Sequence, residues 1–151
     1  MNHNDSTVLW SLSAEQIVSL TIFGEGRGEP LEGKAAIGCV IRNRVRTSYR
    51  GDTYHEVCLA PLQFSCWNTN DPNRPLLLRL AQQIAEGRGA EITDPVWRET
   101  AYVARGIVTD QILDRVGSAR HYHAVGAMPD WSRHQLPIAQ FHRHVFYEDV
   151  A

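Results

Sequence analysis

A short run of glycine and charged residues between two apolar segments constrains the fold of this chain more than any other feature. Residues 24–30 have the sequence GEGRGEP. Glycine permits backbone conformations that other residues resist, and proline fixes φ, so this run predicts a shaped turn between two helices. Glu25 then lies at the edge of the core, where partial burial disfavours the charged form of a carboxyl group and suits a general acid. The alternative is a solvated polar loop, because most charged residues are exposed.

Helices are predicted on both sides of this turn. Ser13 and Gln16 have the spacing of a capping box before an apolar segment, and Gly24 is predicted to end that helix. Pro30 suits the first turn of the next helix, where Glu32 complements the helix dipole. The core-facing positions of this second helix recur every fourth residue, at Ile37, Ile41 and Val45. Both helices are therefore expected to pack into one core.

Four arginines cluster near the C-terminal end of the second predicted helix, at Arg42, Arg44, Arg46 and Arg50. We interpret them as a solvated basic face in preference to a ligand-binding patch, because runs of charge on a helix are usually exposed. Asn43 lies among them and could reach a polar partner.

The remaining pattern predicts an α+β fold with a mainly helical body. Residues 49–61 are predicted to be a loop, and further helices follow around Leu77 and after Asp94. The segments 121–123 and 142–147 alternate in residue type and predict short strands, which places a small antiparallel β region near the C-terminus. We expect a flexible N-terminal segment over residues 1–12 and a single domain over residues 13–151.

Composition excludes several classes of protein. The net charge of −2 and the hydrophobic fraction of 43% are ordinary for a globular domain, so neither nucleic acid nor a membrane is expected as a partner. No apolar run is long enough to span a bilayer. Residues 1–6 are polar and do not resemble a signal peptide. Cys39 is expected in the core, whereas Cys58 and Cys66 could pair across a loop or remain free thiols.

A second candidate segment is rich in amides and aromatic rings. Residues 62–68 have the sequence LQFSCWN. Gln63 and Ser65 could bond sugar hydroxyls, and the Trp67 indole could stack on a pyranose face. The alternative is that Phe64 and Trp67 fill the core.

The acidic turn offers more than one chemistry. Glu25 and Glu29 are candidates for the two carboxyl groups that usually flank a glycosidic bond. Alternatively, Glu29 pairs with Arg27 or Arg42 and holds the loop. A mechanism with a single acid and assistance from the substrate is also open.

Histidines near the C-terminus are the main competing feature. His121, His123 and His144 could converge on a metal, but the chain lacks the HExxH and CxxC spacings of common zinc sites. We therefore predict no metal ligands and no cofactor. A nucleophilic cysteine with a histidine partner is ranked lower.

Three blocks of sequence resemble the cell-wall hydrolase family of spore-cortex-lytic enzymes (SleB-type). The first block covers residues 22–30, with Gly26 in place of the usual alanine, and continues in the motifs Glu32-Gly33-Lys34 and Asn43-Arg44-Val45. The second block is Gln63-Phe64-Ser65-Cys66-Trp67, and the third comprises His121-Tyr122-His123, Pro129-x-Trp131 and His144-x-Phe146-Tyr147. The resemblance extends in order over about residues 13–147, so it is more specific than any one block.

The resemblance implies a lysozyme-like or transglycosylase-like fold acting on peptidoglycan. We also expect the chain to be a monomer. In that family the residue at the position of Glu25 is the acid that cleaves between N-acetylmuramic acid and N-acetylglucosamine. The spore enzymes form a 1,6-anhydro sugar, so the implied reaction is lytic transglycosylation, with a muramidase as its hydrolytic variant. The groove would be shaped by Glu29, Gln63, Ser65, Tyr122 and His123.

Two other functions remain open on the sequence. The chain could be a non-catalytic peptidoglycan-binding or phage-particle module that uses Trp67 and Trp131 as sugar platforms, or a metal-dependent wall amidase built on the C-terminal histidines. Because neither a wall-binding repeat nor a signal peptide is found, we expect synthesis in the cytoplasm. Release would follow lysis or delivery by a phage-like particle, with action at the cell wall.

Overall fold

Within residues 3–150, which the computed structural model describes, six α-helices are followed by three short strands. The helices are α1 (His3–Ser11), α2 (Ala14–Gly26), α3 (Leu31–Arg46), α4 (Tyr54–Leu59), α5 (Arg74–Ala85) and α6 (Pro95–Val108). The strands are β1 (His121–Ala124), β2 (Ala139–Phe141) and β3 (His144–Tyr147). The predicted α+β class, a mainly helical body with a small antiparallel β region near the C-terminus, is confirmed.

Helix α2 is the centre of the helical body. Every residue from 17 to 23 is buried, and the helix packs against α3, α4, α5 and α6. The predicted capping box is present, since Ser13 accepts from the backbone of Gln16 and the Gln16 side chain accepts from the backbone of Ser13. A segment that is apolar on several faces is buried on all of them, which explains its central place.

The predicted end of α2 at Gly24 is wrong, because the helix continues to Gly26. Gly24 is required because Cys66 and Leu77 pack closely against the helix at this position, and not because the chain turns there. A Cβ atom at this position would lie 2.6 Å from the Cβ of Cys66 and 2.7 Å from Cδ1 of Leu77. Glu25 therefore belongs to the last turn of a rigid helix, which fixes its position more firmly than a loop would.

The interpretation of the arginines on α3 as a solvated face is wrong for two of them. Arg42 and Arg44 are 4% and 5% exposed. An Nη atom of Arg42 donates to the carbonyl of Ile112 at 2.7 Å, and Nε of Arg44 donates to the carbonyl of Arg120 at 2.8 Å. Backbone carbonyls of a distant segment thus accept hydrogen bonds from both guanidinium groups, which helical periodicity does not reveal.

The predicted loop over residues 49–61 contains helix α4, so this prediction is wrong in part. The hydroxyl of Thr53 accepts from the backbone of Glu56 and caps the helix, and Val57 is fully buried. The spacing of Thr53 and Glu56 is itself a helix-start signature.

Cys58 on this helix, like Cys39 and Cys66, is a buried free thiol. Burial raises the pKa of Cys58 to about 12.

The strands form one antiparallel sheet with the order β1-β3-β2. His123 pairs with Val145, and Gln140 pairs with Val145 from the other side. The sheet packs through β2 against α3. His142, predicted to begin the last strand, lies in the turn before β3 with a φ of 51°. This turn brings the His142 and His144 side chains to the carboxylate of Glu29, which lies between α2 and α3.

Of the segment predicted to be flexible, residues 1–12, the structure describes residues 3–12, and residues 1 and 2 lie outside the described residues. Residues His3–Ser11 form α1, which packs against α5 and fully buries Leu9. Few apolar residues mark this helix, so its order comes from tertiary packing more than from its own propensity. The domain boundary at residue 13 stays a prediction. No helix within residues 3–150 is both long and apolar enough to cross a membrane.

The docking of α1 predicts the cost of removing Leu9. Leu9→Ala should lower the free energy of unfolding by about 2–5 kcal/mol, because it leaves a cavity in the core. Thr7→Ala, at an exposed position on the same helix, is the matched control and should change it by less than about 0.5 kcal/mol. Urea denaturation followed by circular dichroism measures both, and equal midpoints for the two variants would contradict the packing of α1.

Candidate active site

A cavity of about 390 Å³ lies beside the C-terminal end of α2. It is bounded by the helical body on one side and by strand β1 on the other. Its polar lining comprises Glu25, Arg44, Gln63, Ser65, Asn73, Tyr122, His123 and His144. The structure therefore brings together five of the seven predicted site residues, from segments far apart in the sequence.

Glu25 is held by hydrogen bonds to both of its carboxyl oxygens. The hydroxyl of Tyr122 donates to Oε1 at 2.5 Å, and the backbone N–H of Cys66 donates to Oε2 at 3.1 Å. The Ser65 hydroxyl lies 3.4 Å from the same Oε2. The side chain is half-buried and its orientation is set from two other elements. A carboxyl group fixed in this way at a cavity wall is suited to proton transfer.

Tyr122 is the link between Glu25 and the sheet. Burial and the neighbouring carboxylate of Glu25 raise the pKa of Tyr122 well above its ordinary value, so the phenol remains neutral and can donate. Its ring packs edge-on against His144, with 5.3 Å between ring centroids, and against Phe146 at 5.5 Å. The sheet thus positions the hydroxyl that orients the carboxyl group of Glu25.

Glu29 does not line the 390 Å³ cavity, but it lines an adjoining cavity of about 250 Å³ that also includes Glu25. The side chain of Glu29 is 3% exposed, and its carboxylate contacts Nδ1 of both His142 and His144. The backbone N–H of Arg143 also donates to it, at 3.2 Å. The alternative pairing of Glu29 with Arg27 or Arg42 is wrong. Arg27 donates instead to Oδ1 of Asn73 at 2.6 Å.

The environment of Glu29 favours its charged form. Burial raises its pKa, but hydrogen bonds from His144 and His142, the charge of His144 and the Arg143 N–H outweigh this, so the pKa lies below its usual value. The carboxylate therefore works as a fixed acceptor that joins the α2–α3 turn to the turn before β3.

Trp67 is placed in the core, as the alternative to its sugar-stacking role predicts. It is 9% exposed, and its indole N–H donates to the hydroxyl of Thr21 at 3.1 Å. The short 3₁₀ turn Ser65–Trp67 directs the indole inwards while it presents Ser65 and the Cys66 N–H to Glu25. One turn therefore serves both the core and the cavity.

Gln63 and His123 line the cavity with hydrogen-bonded side chains. Oε1 of Gln63 accepts from a guanidinium nitrogen of Arg44 at 3.1 Å. Nε2 of His123 bonds the hydroxyl of Tyr147 at 2.8 Å. Sequence reasoning missed Arg44, Asn73 and His144 as lining residues. The resemblance quoted Arg44 and His144 in its motifs, whereas no local signal marks Asn73.

The histidines proposed as metal ligands have separate partners. His121 bonds the hydroxyl of Tyr49 at 3.1 Å, while His123 bonds Tyr147 and His144 contacts Glu29. In the described part of the chain, no three histidine, cysteine or acidic side chains converge on a point that could hold a metal.

Comparisons with known proteins relate the chain to a family of cell wall hydrolases. A sequence profile of the family described as Cell Wall Hydrolase matches residues 28–147, a range that begins three residues after Glu25. The chain is 29% identical over 134 residues to a spore cortex-lytic enzyme of Oceanobacillus iheyensis. That alignment covers 87% of this chain and 40% of the relative, so the chain spans less than half of the relative's length.

Two solved structures share the fold. The catalytic domain of the germination-specific lytic transglycosylase SleB from Bacillus anthracis superposes with a TM-score of 0.62 at 21% identity, over 91% of this chain and 98% of that one. The catalytic domain of the Bacillus cereus SleB protein gives a TM-score of 0.61 at 23% identity, over 89% of each chain. The resemblance and the fold class predicted from the sequence are confirmed.

The depressed pKa of Glu29 predicts a pH-dependent contribution to stability. A carboxylate with a lowered pKa stabilises the fold above its unfolded value of 4.5, and this contribution is lost as the pH falls through the folded pKa. Glu29→Gln should therefore lower the free energy of unfolding at neutral pH by about 1.5–3 kcal/mol. The deficit relative to the wild type should shrink as the pH falls from about 7 to about 3.

Urea unfolding across this pH range measures the effect. Glu91→Gln removes an exposed carboxylate and is the matched control, with an expected change below about 0.5 kcal/mol at each pH. A deficit of Glu29→Gln that stays constant down to the lowest pH would contradict the assigned charge of Glu29.

Proposed function

The chain belongs to the cell wall hydrolase family, and from this premise we propose that it cleaves the glycan strands of peptidoglycan with Glu25 as the general acid. One observation carries the proposal. Glu25 is oriented by Tyr122, Cys66 and Ser65 at the wall of a cavity large enough for sugar units. The similarity to a spore cortex-lytic enzyme and to a lytic transglycosylase supports the same substrate class.

In the first step, protonated Glu25 donates its proton to the oxygen that links N-acetylmuramic acid to N-acetylglucosamine. The bond from that oxygen to C1 of the muramic acid breaks, and an oxocarbenium-like centre forms. Tyr122 and the Cys66 N–H hold the carboxyl group in place during the transfer, so little reorganisation is needed.

In the second step, the 6-hydroxyl of the same muramic acid attacks C1, and the Glu25 carboxylate takes the proton of that hydroxyl. The product is a 1,6-anhydro sugar, Glu25 is protonated again, and no water is consumed. This route is favoured because both two-carboxylate mechanisms need a second available carboxyl group. Glu29 is the nearest candidate in sequence, and it is buried among two imidazoles and a backbone N–H.

The other functions considered receive less support. A wall-binding module that relies on the indole of Trp67 conflicts with the burial of that side chain. A metal-dependent amidase would need at least three side chains placed to hold a metal ion, and within residues 3–150 no such group of histidine, cysteine or acidic side chains is found.

Removal of the proposed acid predicts a large loss of activity. Glu25→Gln should slow the release of soluble muropeptides from purified peptidoglycan by about 10²–10⁴-fold, because general acid catalysis is lost. Glu15→Gln, on the same helix but away from this cavity, is the matched control and should retain the wild-type rate. Cleavage by folded Glu25→Gln at the wild-type rate would refute the assignment.

The chemistry of the second step predicts the ends of the products. Mass spectrometry of the released muropeptides should show 1,6-anhydro-muramic acid ends, which lack the mass of one water relative to reducing ends. Reducing muramic acid ends would instead indicate a muramidase, and freed peptides without glycan cleavage would indicate an amidase.

A further inference from the structure

Three arginines surround the ring of Tyr49 beside the cavity. The guanidinium carbons of Arg44, Arg50 and Arg120 lie 5.2, 5.1 and 4.6 Å from the ring centroid. We call these residues the arginine cluster. Arg44 belongs to both sites, because it also lines the cavity that holds Glu25. Positive charge is therefore concentrated at one margin of the proposed active site.

None of the three arginines forms an ion pair with another described residue. Arg44 is 5% exposed and bonds only neutral acceptors, the carbonyl of Arg120 and the amide oxygen of Gln63. Arginines elsewhere in the chain do form ion pairs with carboxylates. Arg46 lies 2.6 Å from Asp110, and Arg115 lies 2.6 Å from Glu32.

The local electrostatics reflect this excess of positive charge. Burial lowers the pKa of Arg44, and the charges of Arg50 and Arg120 lower it further. Burial and the charges of the same three arginines lower the pKa of His121 to about 4, so this imidazole is neutral at physiological pH. An anion placed here would relieve the mutual repulsion of the cluster.

We propose that the arginine cluster is a subsite for a carboxylate of the peptidoglycan peptide, which is attached to the muramic acid next to the cleaved bond. This proposal rests on the proposed function and names the part of the substrate that the cavity margin binds. The planar fork of a guanidinium group matches a carboxylate with two parallel hydrogen bonds. A phosphate has similar chemistry, but peptide carboxylates accompany the sugar at the cut site, whereas wall phosphates belong to separate polymers.

The test measures binding separately from cleavage. Glu25→Gln protein is sedimented with four preparations of purified wall: untreated, stripped of phosphate polymers with hydrofluoric acid, converted to neutral amides at its carboxyl groups, and given both treatments. Binding should weaken about tenfold on either amidated wall and stay unchanged after the acid treatment alone. The loss corresponds to about threefold for each exposed ion pair removed. Raised salt should weaken binding only to walls with free carboxylates.

Variants identify the residues responsible. Adding Arg50→Gln and Arg120→Gln to the Glu25→Gln protein should lower its binding to phosphate-free wall about tenfold. The remaining binding should no longer depend on free carboxyl groups in the wall. The matched control adds Arg79→Gln and Arg98→Gln, two exposed arginines that do not line the cavity, and should keep that dependence.

Equal binding of the Glu25→Gln protein to free and amidated walls would overturn the proposal, as would an equal loss in the control. Loss of binding after hydrofluoric acid treatment would assign the cluster to phosphate and would also overturn it. Carboxyl-dependent binding by a wild-type protein that releases no muropeptides would support the subsite while refuting the proposed cleavage.

Discussion

The buried contact of Glu29 with His142 and His144 fastens the small sheet to the helical body. This contact helps to set the position of Tyr122 on β1 relative to Glu25 on α2, and the two residues share a 2.5 Å hydrogen bond. A charged carboxylate with three donors is stable in the interior only when all three remain in place. The geometry of the cavity therefore depends on an ion that lies outside it.

Much of the fold follows from signals carried by neighbouring residues. The capping box at Ser13, the proline at position 30 and the Asp94-Pro95 pair mark the starts of α2, α3 and α6. Alternation near the C-terminus marks β1 and β3. The position of Glu25 at the edge of the core followed from the apolar helix before it. Local patterns are sufficient here because each element is stabilised by its own caps and its own buried face.

The predictions that the structure contradicts concern side chains whose partners are distant in the sequence. Arg42 and Arg44 are buried because carbonyls some 70 residues away accept their hydrogen bonds. Glu29 and the two histidines that hydrogen-bond to it are separated by 113 and 115 residues. The sequence allows Trp67 to face a sugar or the core, and its hydrogen bond to Thr21 shows that it faces the core. A residue type limits which bonds a side chain can make, but the tertiary structure selects among them.

The three buried thiols have a consequence for where this domain can work. Cys39, Cys58 and Cys66 form no disulfide, and burial raises the pKa of each, so little reactive thiolate is present. Core packing holds the fold together without covalent cross-links. Folding therefore needs no oxidant, and the domain should tolerate both reducing and oxidising surroundings.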